Sequence, residues 1–449
     1  MFTKNVDLIK DKILQSLLIF AIPIFISNVF QQLYNAADTM IVGNILGDSS
    51  LAAIGTTTAV FDLLIGFALG VGNGLSIVVA RNYGAKNEQL LKKSVAGAIV
   101  IGLGLTIIIM IISNFGLFSI LELLDTPIEI IEEAHSYISV ITTFVGIMFA
   151  YNLCAGLLRA IGNSMMPLLF LIVSSILNIV LDILFIRDFG MGIAGAAIAT
   201  VIAQLVSVVL CILYIYKKAP ILIPRKEDFS FDKSLYIELA GQGFSMGFMM
   251  AIVSAGTVIL QKAINGFGYL IIAGHTAARR INSFFMMPCG TLAITLATFV
   301  SQNKGADQRE RIKQGVKIAN RLAIGWGILA TVILLLFGKN IVMMVSGSKE
   351  AIVLDNATQY LLINAPFYAV LGILLNLRNS LQGLGEKVIP LVSSIIELFG
   401  KIVFVMFFVP ILGYFGVIIS EPIIWCLMCI QLVYSFYSNS YLRGNKNEN

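Results

Sequence analysis

The sequence predicts an all-α integral membrane protein with twelve transmembrane helices in two six-helix lobes related by a pseudo-twofold axis. Three observations support this fold class. Of the 449 residues, 58% are hydrophobic and only 12% are charged, a balance far from that of soluble domains. Apolar segments recur at lengths of roughly 20 to 30 residues, which is enough to cross a bilayer. Short motifs from the first half of the chain return in the second half.

Twelve apolar segments, separated by short polar or charged connections, are predicted to cross the membrane. They cover residues 13–42, 50–80, 91–113, 130–158, 164–186, 192–216, 234–261, 270–301, 314–337, 353–383, 388–410 and 414–438.

Basic residues concentrate on one side of the predicted membrane. That side holds the N-terminal segment, the connections 217–233 and 304–321, and the tail with Lys446. The opposite side is poor in bases, and its connection 114–134 carries acids such as Asp125. Because basic connections stay on the cytoplasmic side, both termini are expected there, in a multi-pass protein of the plasma or inner membrane.

The two halves of the chain look like copies of one unit. The connection 217–233 separates a predicted N-lobe, 1–225, from a predicted C-lobe, 226–449. Three motifs recur at nearly constant separation: Gly55-Thr56-Thr57 as Gly274-His275-Thr276, Asn82-Tyr83-Gly84-Ala85 as Asn303-Lys304-Gly305-Ala306, and Arg159-Ala160-Ile161-Gly162 as Gln382-Gly383-Leu384-Gly385. Since six spans is an even number, both copies enter the membrane in the same direction, which predicts a cleft between the lobes as in transporters.

Carboxylates inside the N-lobe spans are the strongest chemical signal. Tyr34 and Asp38 lie four residues apart on helix one, Asn178 and Asp182 four apart on helix five, and Thr200 at a similar depth on helix six. Two carboxylates in one apolar pocket cannot both ionise cheaply, so one is expected to hold a proton near neutral pH. A sodium ion with oxygen ligands would meet the same electrostatic need. A static hydrogen-bonded network that holds the helices together is the alternative.

Other functional classes are disfavoured. The net charge of +5 is distributed by side of the membrane rather than clustered, so nucleic-acid binding is not expected. The five cysteines lie inside spans, where packing is the usual role. The sequence lacks a GxxxxGK[ST] phosphate loop, so a cation gradient rather than ATP is the expected energy source. It also lacks DDxxD and HExxH motifs, which makes an intramembrane enzyme the weaker hypothesis.

The first span and the start of the second carry a recognisable pattern. It comprises Ile22-Pro23, Asn28, Gln31-Gln32, the run from Tyr34 to Gly43, and Leu51-Ala52-Ala53-Ile54-Gly55. This pattern resembles the start of the multidrug and toxic compound extrusion (MATE) family, in its DinF-like branch. Chain length, twelve spans and duplicated lobes fit that family along essentially the whole sequence.

The resemblance implies roles for particular residues. The cation-coupling pocket of the family matches Tyr34, Asp38, Asn178, Asp182 and Thr200, with Asn152 as a further member. A coupling sodium ion would be held at Asp38, Asn178 and Asp182. Pro23 matches the family proline at which helix one bends.

The C-lobe departs from the branch of the family that has a second carboxylate cluster. Residues 245–261 of helix seven contain no acid, so coupling is expected through the N-lobe alone. By depth, Arg280 on helix eight and Glu397 on helix eleven are predicted to pair, with Lys401 in the same network. A structural or gating role is favoured over drug contact. The role of Arg279 stays open, and so does the choice for His275 between proton relay and packing.

Four residues are candidates for the substrate cavity. Asp62 lies within helix two, while Met249, Phe284 and Met287 offer an adaptable apolar lining. Ordinary core and lipid-facing packing is the alternative for the apolar three.

Together these features predict a proton- or sodium-coupled antiporter that exports amphipathic, often cationic, small molecules. It would need no cofactor besides the coupling ion, and it would function as a monomer in the lipid bilayer. A flippase for a lipid-linked precursor is the alternative, since related two-lobed proteins share the plan.

Overall fold

The computed structural model describes residues 6–123 and 126–444, so Asp125 and Lys446 lie outside the described residues. Within these ranges all regular structure is helical. The α-helices are α1 Ile13–Leu46, α2 Asp48–Gly84, α3 Glu88–Leu123, α4 Ile131–Thr143, α5 Val145–Ala160, α6 Met165–Asp182, α7 Gly192–Lys218, α8 Lys233–Asn265, α9 Tyr269–Gly305, α10 Arg309–Ser346, α11 Ala351–Asn364, α12 Tyr368–Gly383, α13 Val388–Val403, α14 Val409–Leu412, α15 Tyr414–Ser438 and α16 Ser440–Arg443.

The predicted all-α membrane fold is confirmed. Among the residues that the structure describes, eleven spans are long and apolar enough to cross a membrane, and a twelfth forms if the bent pair α4 and α5 counts as one. That pair is the predicted fourth span. It is bent by 49°, at Phe144, whose φ of −104° and ψ of 21° are not helical.

Two spans contain widened helical turns that sequence periodicity does not predict. A π-helical segment, Ile183–Asp188, continues α6, and a second one, Phe404–Phe408, continues α13. Segments of this kind are frequent at functional sites. The first begins directly after Asp182.

The described residues form two compact units. The first unit holds residues 6–11 and 18–251, and the second holds residues 12–17 and 252–444. The division therefore falls inside α8, whereas the sequence places its lobe boundary between residues 225 and 226. That boundary stays a prediction.

The backbone of the second unit repeats unusual conformations of the first. Positive φ angles occur in matching connections of the two units, at Gly47 (88°) and Gly268 (89°), Lys86 (55°) and Asp307 (51°), Gly162 (87°) and Gly385 (81°), and Gly192 (61°) and Gly413 (60°). Left-handed conformations are uncommon for residues with a side chain, so the Lys86 and Asp307 pair is informative. Gly162 and Gly385 both end the repeated motif that the sequence contains.

Glycine allows a very close helix contact within the first unit. A Cβ atom at Gly74 of α2 would lie 2.4 Å from the carbonyl oxygen of Gln242 in α8, and one at Gly70 would lie 2.7 Å from that of Met246. Only hydrogen fits at these positions. An ion pair between Arg81 and Glu238 joins the same two helices nearer their ends.

Candidate functional site

Polar residues of α1, α6 and α7 meet in the first unit. The amide nitrogen Nδ2 of Asn178 donates to Oδ1 of Asp182 at 3.4 Å and to Oγ1 of Thr200 at 3.4 Å. The helical turn brings Asn178 and Asp182 to one face of α6. Asn178 is 2% exposed and Asp182 is fully buried.

The carboxyl groups of Asp38 and Asp182 lie within hydrogen-bonding range of each other. A carboxylate can only accept hydrogen bonds, so one of the two must carry a proton for a bond to form between them. Tyr34, one turn before Asp38 on α1, hydrogen-bonds with Gln31 and interacts electrostatically with both carboxyls. The structure thus brings together the two acids and the phenol that the sequence singles out.

Four buried side-chain oxygens at or beside this cluster have no hydrogen-bond partner in the described part of the chain. They are Oδ1 of Asp38, Oδ1 of Asn178, Oδ2 of Asp182 and Oε1 of Gln204. A buried oxygen without a partner costs roughly 1–3 kcal/mol, and more if it is charged. A proton or a hard cation with oxygen ligands would satisfy such a set.

A small cavity adjoins the cluster. Its volume is about 10 Å³, close to the least that holds one water molecule. Its lining comprises Tyr34, Leu171, Ser174, Ser175, Asn178, Thr200, Ala203 and Gln204. Most of these side chains carry oxygen, which suits water or a small cation rather than an apolar ligand.

Asn152 does not join the hydrogen bonds of this cluster. Its Nδ2 donates to the carbonyl of Met148 in its own helix at 2.9 Å. Pro23 lies inside α1, which runs unbroken across it. Its carbonyl accepts a bond from Ser27 Oγ at 2.8 Å.

Sequence reasoning missed two polar neighbours of the cluster. Tyr137 of α4 interacts electrostatically with Asp38, Tyr34 and Asp182. Gln204 lies four residues after Thr200 on α7. The four-residue spacing was a usable signal for Gln204, whereas nothing near Tyr137 in the sequence points to the pocket.

The candidate residues for the substrate cavity have varied surroundings. Asp62 is exposed and Met249 is buried in the first unit, while Phe284 is exposed and Met287 is half-buried in the second. A larger apolar cavity of about 390 Å³ lies elsewhere in the first unit, between α3, α5, α7 and the connection that follows α7. None of the four lines it, and their role stays a prediction.

The charged residues of the second unit pair differently from expectation. Arg279, not Arg280, makes an ion pair, with Nη1 at 2.6 Å from Oε1 of Glu421. Arg280 is exposed, and no ion pair joins it to Glu397 within the described ranges. Neighbouring residues on a helix point about 100° apart, so only one of the two arginines faces the partner helix.

Two further contacts complete this network. Lys401 Nζ lies 2.8 Å from Oε1 of Glu397, as the four-residue spacing predicts. His275 is 4% exposed, and its Nδ1 lies 3.0 Å from the hydroxyl of Tyr414.

Comparison with known proteins identifies relatives along nearly the whole chain. The sequence model of the MatE family matches twice, over residues 23–184 and 246–407. The chain is 28% identical to "Probable multidrug resistance protein YoeA" of Bacillus subtilis (strain 168), over 95% of this chain and 94% of that protein. It is 26% identical to "FAD transporter" of Shewanella oneidensis, over 89% of each.

Solved structures share the fold. "Crystal structure of MATE in the bent conformation" superposes with a TM-score of 0.89 at 24% identity, over 99% of both chains. "Outward-facing conformation of a multidrug resistance MATE family transporter of the MOP superfamily" gives a TM-score of 0.89 at 24% identity, over 99% of this chain and 100% of the other.

Proposed function

Because this chain belongs to the MatE family of multi-pass membrane transporters, we propose that it is a cation-coupled antiporter that exports amphipathic, often cationic, small molecules. The observation that carries the coupling proposal is the set of buried oxygens without partners around Asp38 and Asp182. Relatives named for multidrug resistance support the substrate class. The DinF-like branch remains a prediction from the sequence pattern.

The coupling cation in this proposal is a proton or a sodium ion. A proton on one carboxyl would allow Asp38 and Asp182 to share a hydrogen bond. For sodium, the available ligands are oxygens of Asp38, Asn178 and Asp182. Within the described residues no group of three or more His, Cys, Asp or Glu side chains could hold a metal ion, so an amide oxygen would have to complete the set.

The proposed cycle loads the pocket from outside and releases it inside. Cation uptake at Asp38 and Asp182 neutralises the cluster, α1 bends near Pro23, and substrate leaves toward the outside. Proline supports a bend because it removes one backbone hydrogen bond from the helix interior. The surplus of basic residues in the connections on one side supports cytoplasmic termini in the plasma membrane.

Purified protein in liposomes tests the proposal. A proton gradient and a sodium gradient are imposed separately while movement of a fluorescent organic cation is followed. We expect one gradient to drive transport in wild type and neither to drive it in Asp38→Asn. Asp188→Asn is the matched control, because Asp188 is an exposed acid paired with the adjacent Arg187. Gradient-driven transport by Asp38→Asn at the wild-type rate would remove the pocket from the mechanism.

A further inference from the structure

The second unit holds a partly buried arginine, two of whose nitrogen atoms lack hydrogen-bond partners among the described residues. Arg378 of α12 is partly buried, and its Nε and Nη1 atoms are buried without a hydrogen-bond partner in the described part of the chain. Leaving a buried charge unpaired is among the costlier arrangements in a folded protein. Groups that cost stability in this way are commonly retained at functional sites.

The acids near Arg378 are already committed to other bases. Glu397 lies within electrostatic range of Arg378, but it pairs with Lys401 at 2.8 Å. The pair is built into the packing, because a Cβ atom at Gly256 of α8 would lie 3.0 Å from Cδ of Lys401. Glycine at position 256 therefore leaves room for Lys401, which pairs with Glu397.

The second acid is committed as well. Glu421 accepts hydrogen bonds from Arg279 and from the hydroxyl of Tyr360. Only two acids, Glu397 and Glu421, thus balance three bases: Arg279, Lys401 and Arg378. One positive charge is left without a partner acid. The surplus falls at Arg378, whose buried Nε and Nη1 atoms have no hydrogen-bond partner among the described residues.

The spans of the two units also differ in the sign of the charge that their side chains carry. Those of the first unit carry Asp38, Asp62 and Asp182 together with Arg159, while Arg81 is paired with Glu238. The spans of the second unit carry the bases Arg279, Arg280, Arg378 and Lys401 and the acids Glu397 and Glu421. A site in the second unit is therefore suited to negative charge.

We infer that Arg378 anchors the acidic group, a phosphate or carboxylate, of an amphipathic ligand. Arginine suits these groups because its planar guanidinium matches their geometry and keeps its charge when desolvated. The acid within electrostatic range of Arg378, Glu397, is engaged by Lys401. Export would then extend to zwitterionic and anionic amphipathic molecules. In naming a substrate class the inference rests on the transport function proposed above, but the binding it requires needs no gradient.

Calorimetric titration of the full-length protein in detergent tests the binding. The probe is 1-naphthyl phosphate, and 1-naphthol is the comparison, since it has the same rings without the charged group. We expect wild type to bind the phosphate about tenfold or more tightly than the alcohol, as for a hydrogen bond to a charged group. Arg378→Gln should lose this preference, and Arg378→Lys should keep part of it. Lys313→Gln, which removes an exposed charge paired with Glu310, should bind like wild type.

Thermal stability separates a binding role from a structural one. If Arg378 serves binding, Arg378→Gln without ligand should melt at or above the wild-type temperature, because it removes an unpaired charge. A lower melting temperature would mark the guanidinium as structural and overturn the inference. Unchanged preference for the phosphate in Arg378→Gln would overturn it too.

Competition identifies the source of the anion. Displacement of 1-naphthyl phosphate by phosphatidylglycerol but not by glycerol 3-phosphate would identify a lipid headgroup, and the reverse result a soluble molecule. Both results support the site. The titration imposes no gradient, so failure of the coupling proposal and failure of this site are told apart.

Discussion

Arg279 of α9 donates to Glu421 of α15 at 2.6 Å, and the glutamate is 5% exposed. The arginine side chain is 35% exposed, so the pair has one buried end and one end near water. Breaking a fully buried pair costs roughly 3–5 kcal/mol, because an unpaired charge remains.

Glu421→Gln should therefore destabilise the protein by about 2–3 kcal/mol, less than for a fully buried pair because Arg279 regains some solvation. Thermal denaturation in detergent measures the effect. Adding Arg279→Gln to the first change should recover part of the loss, since no charge is then left unpaired. A Glu421→Gln protein as stable as wild type would show that the pair contributes nothing.

The carboxyls of Asp38 and Asp182 should act as one unit. Because each depends on the other to share a proton or a cation, Asp38→Asn and Asp182→Asn should each abolish gradient-driven transport. The double variant should lose no more than either single one, as for residues that function together. Initial transport rates in liposomes give the comparison, and gradient-driven transport kept by either single variant would contradict a shared site.

Asn178 and Thr200 should differ in importance. The Asn178 amide joins Asp182 to Thr200, whereas the Thr200 hydroxyl also bonds the Ala196 carbonyl of its own helix at 3.1 Å. Asn178→Ala should lower gradient-driven transport by about tenfold or more, since a buried acid then loses its donor. Thr200→Val should lower it less. The opposite order, measured in the same liposomes, would exclude Asn178 as the link.

Gly74→Ala should destabilise the first unit. The added Cβ would lie 2.4 Å from a backbone oxygen of α8, and overpacking of this kind costs about 1–3 kcal/mol or more. Gly66→Ala on the same helix is the control, because a Cβ there meets nothing within 4 Å and alanine favours the helix by up to about 1 kcal/mol. Melting temperatures should fall for the first variant and stay level or rise for the second.

The length of the hydrophobic segments predicts the spans of this chain well. Packing between helices determines the features that segment length does not predict. The predicted fifth span, 164–186, corresponds to Met165–Asp188 in the structure. The bend at Phe144 and the π-helical segments depend on neighbouring helices and leave no mark in the hydrophobic pattern. The choice of Arg279 over Arg280 has the same origin, since depth alone does not distinguish adjacent residues.

Spacing was enough to group the residues of the first-unit cluster that share a helix. Asn178 and Asp182 follow from the four-residue repeat, and so would Gln204 after Thr200. Contacts between helices are harder to predict, so Tyr137 was missed and the pairing of Glu421 was not anticipated. The orphaned guanidinium of Arg378 is visible only once the partners of Glu397 and Glu421 are known.

The unpartnered oxygens around Asp38 and Asp182 also bear on how tightly the proposed exchanger would be coupled. A carrier loses tight coupling when it changes conformation with its cation site empty and fully ionised. Such uncoupled steps dissipate the gradient or carry substrate back. In this protein the carboxylates of Asp38 and Asp182 would both be ionised in an apolar setting during that change. The energy of this state is far above that of the neutralised form. Electrostatic repulsion between the two carboxylates thus disfavours the conformational change of the carrier while its cation site is empty.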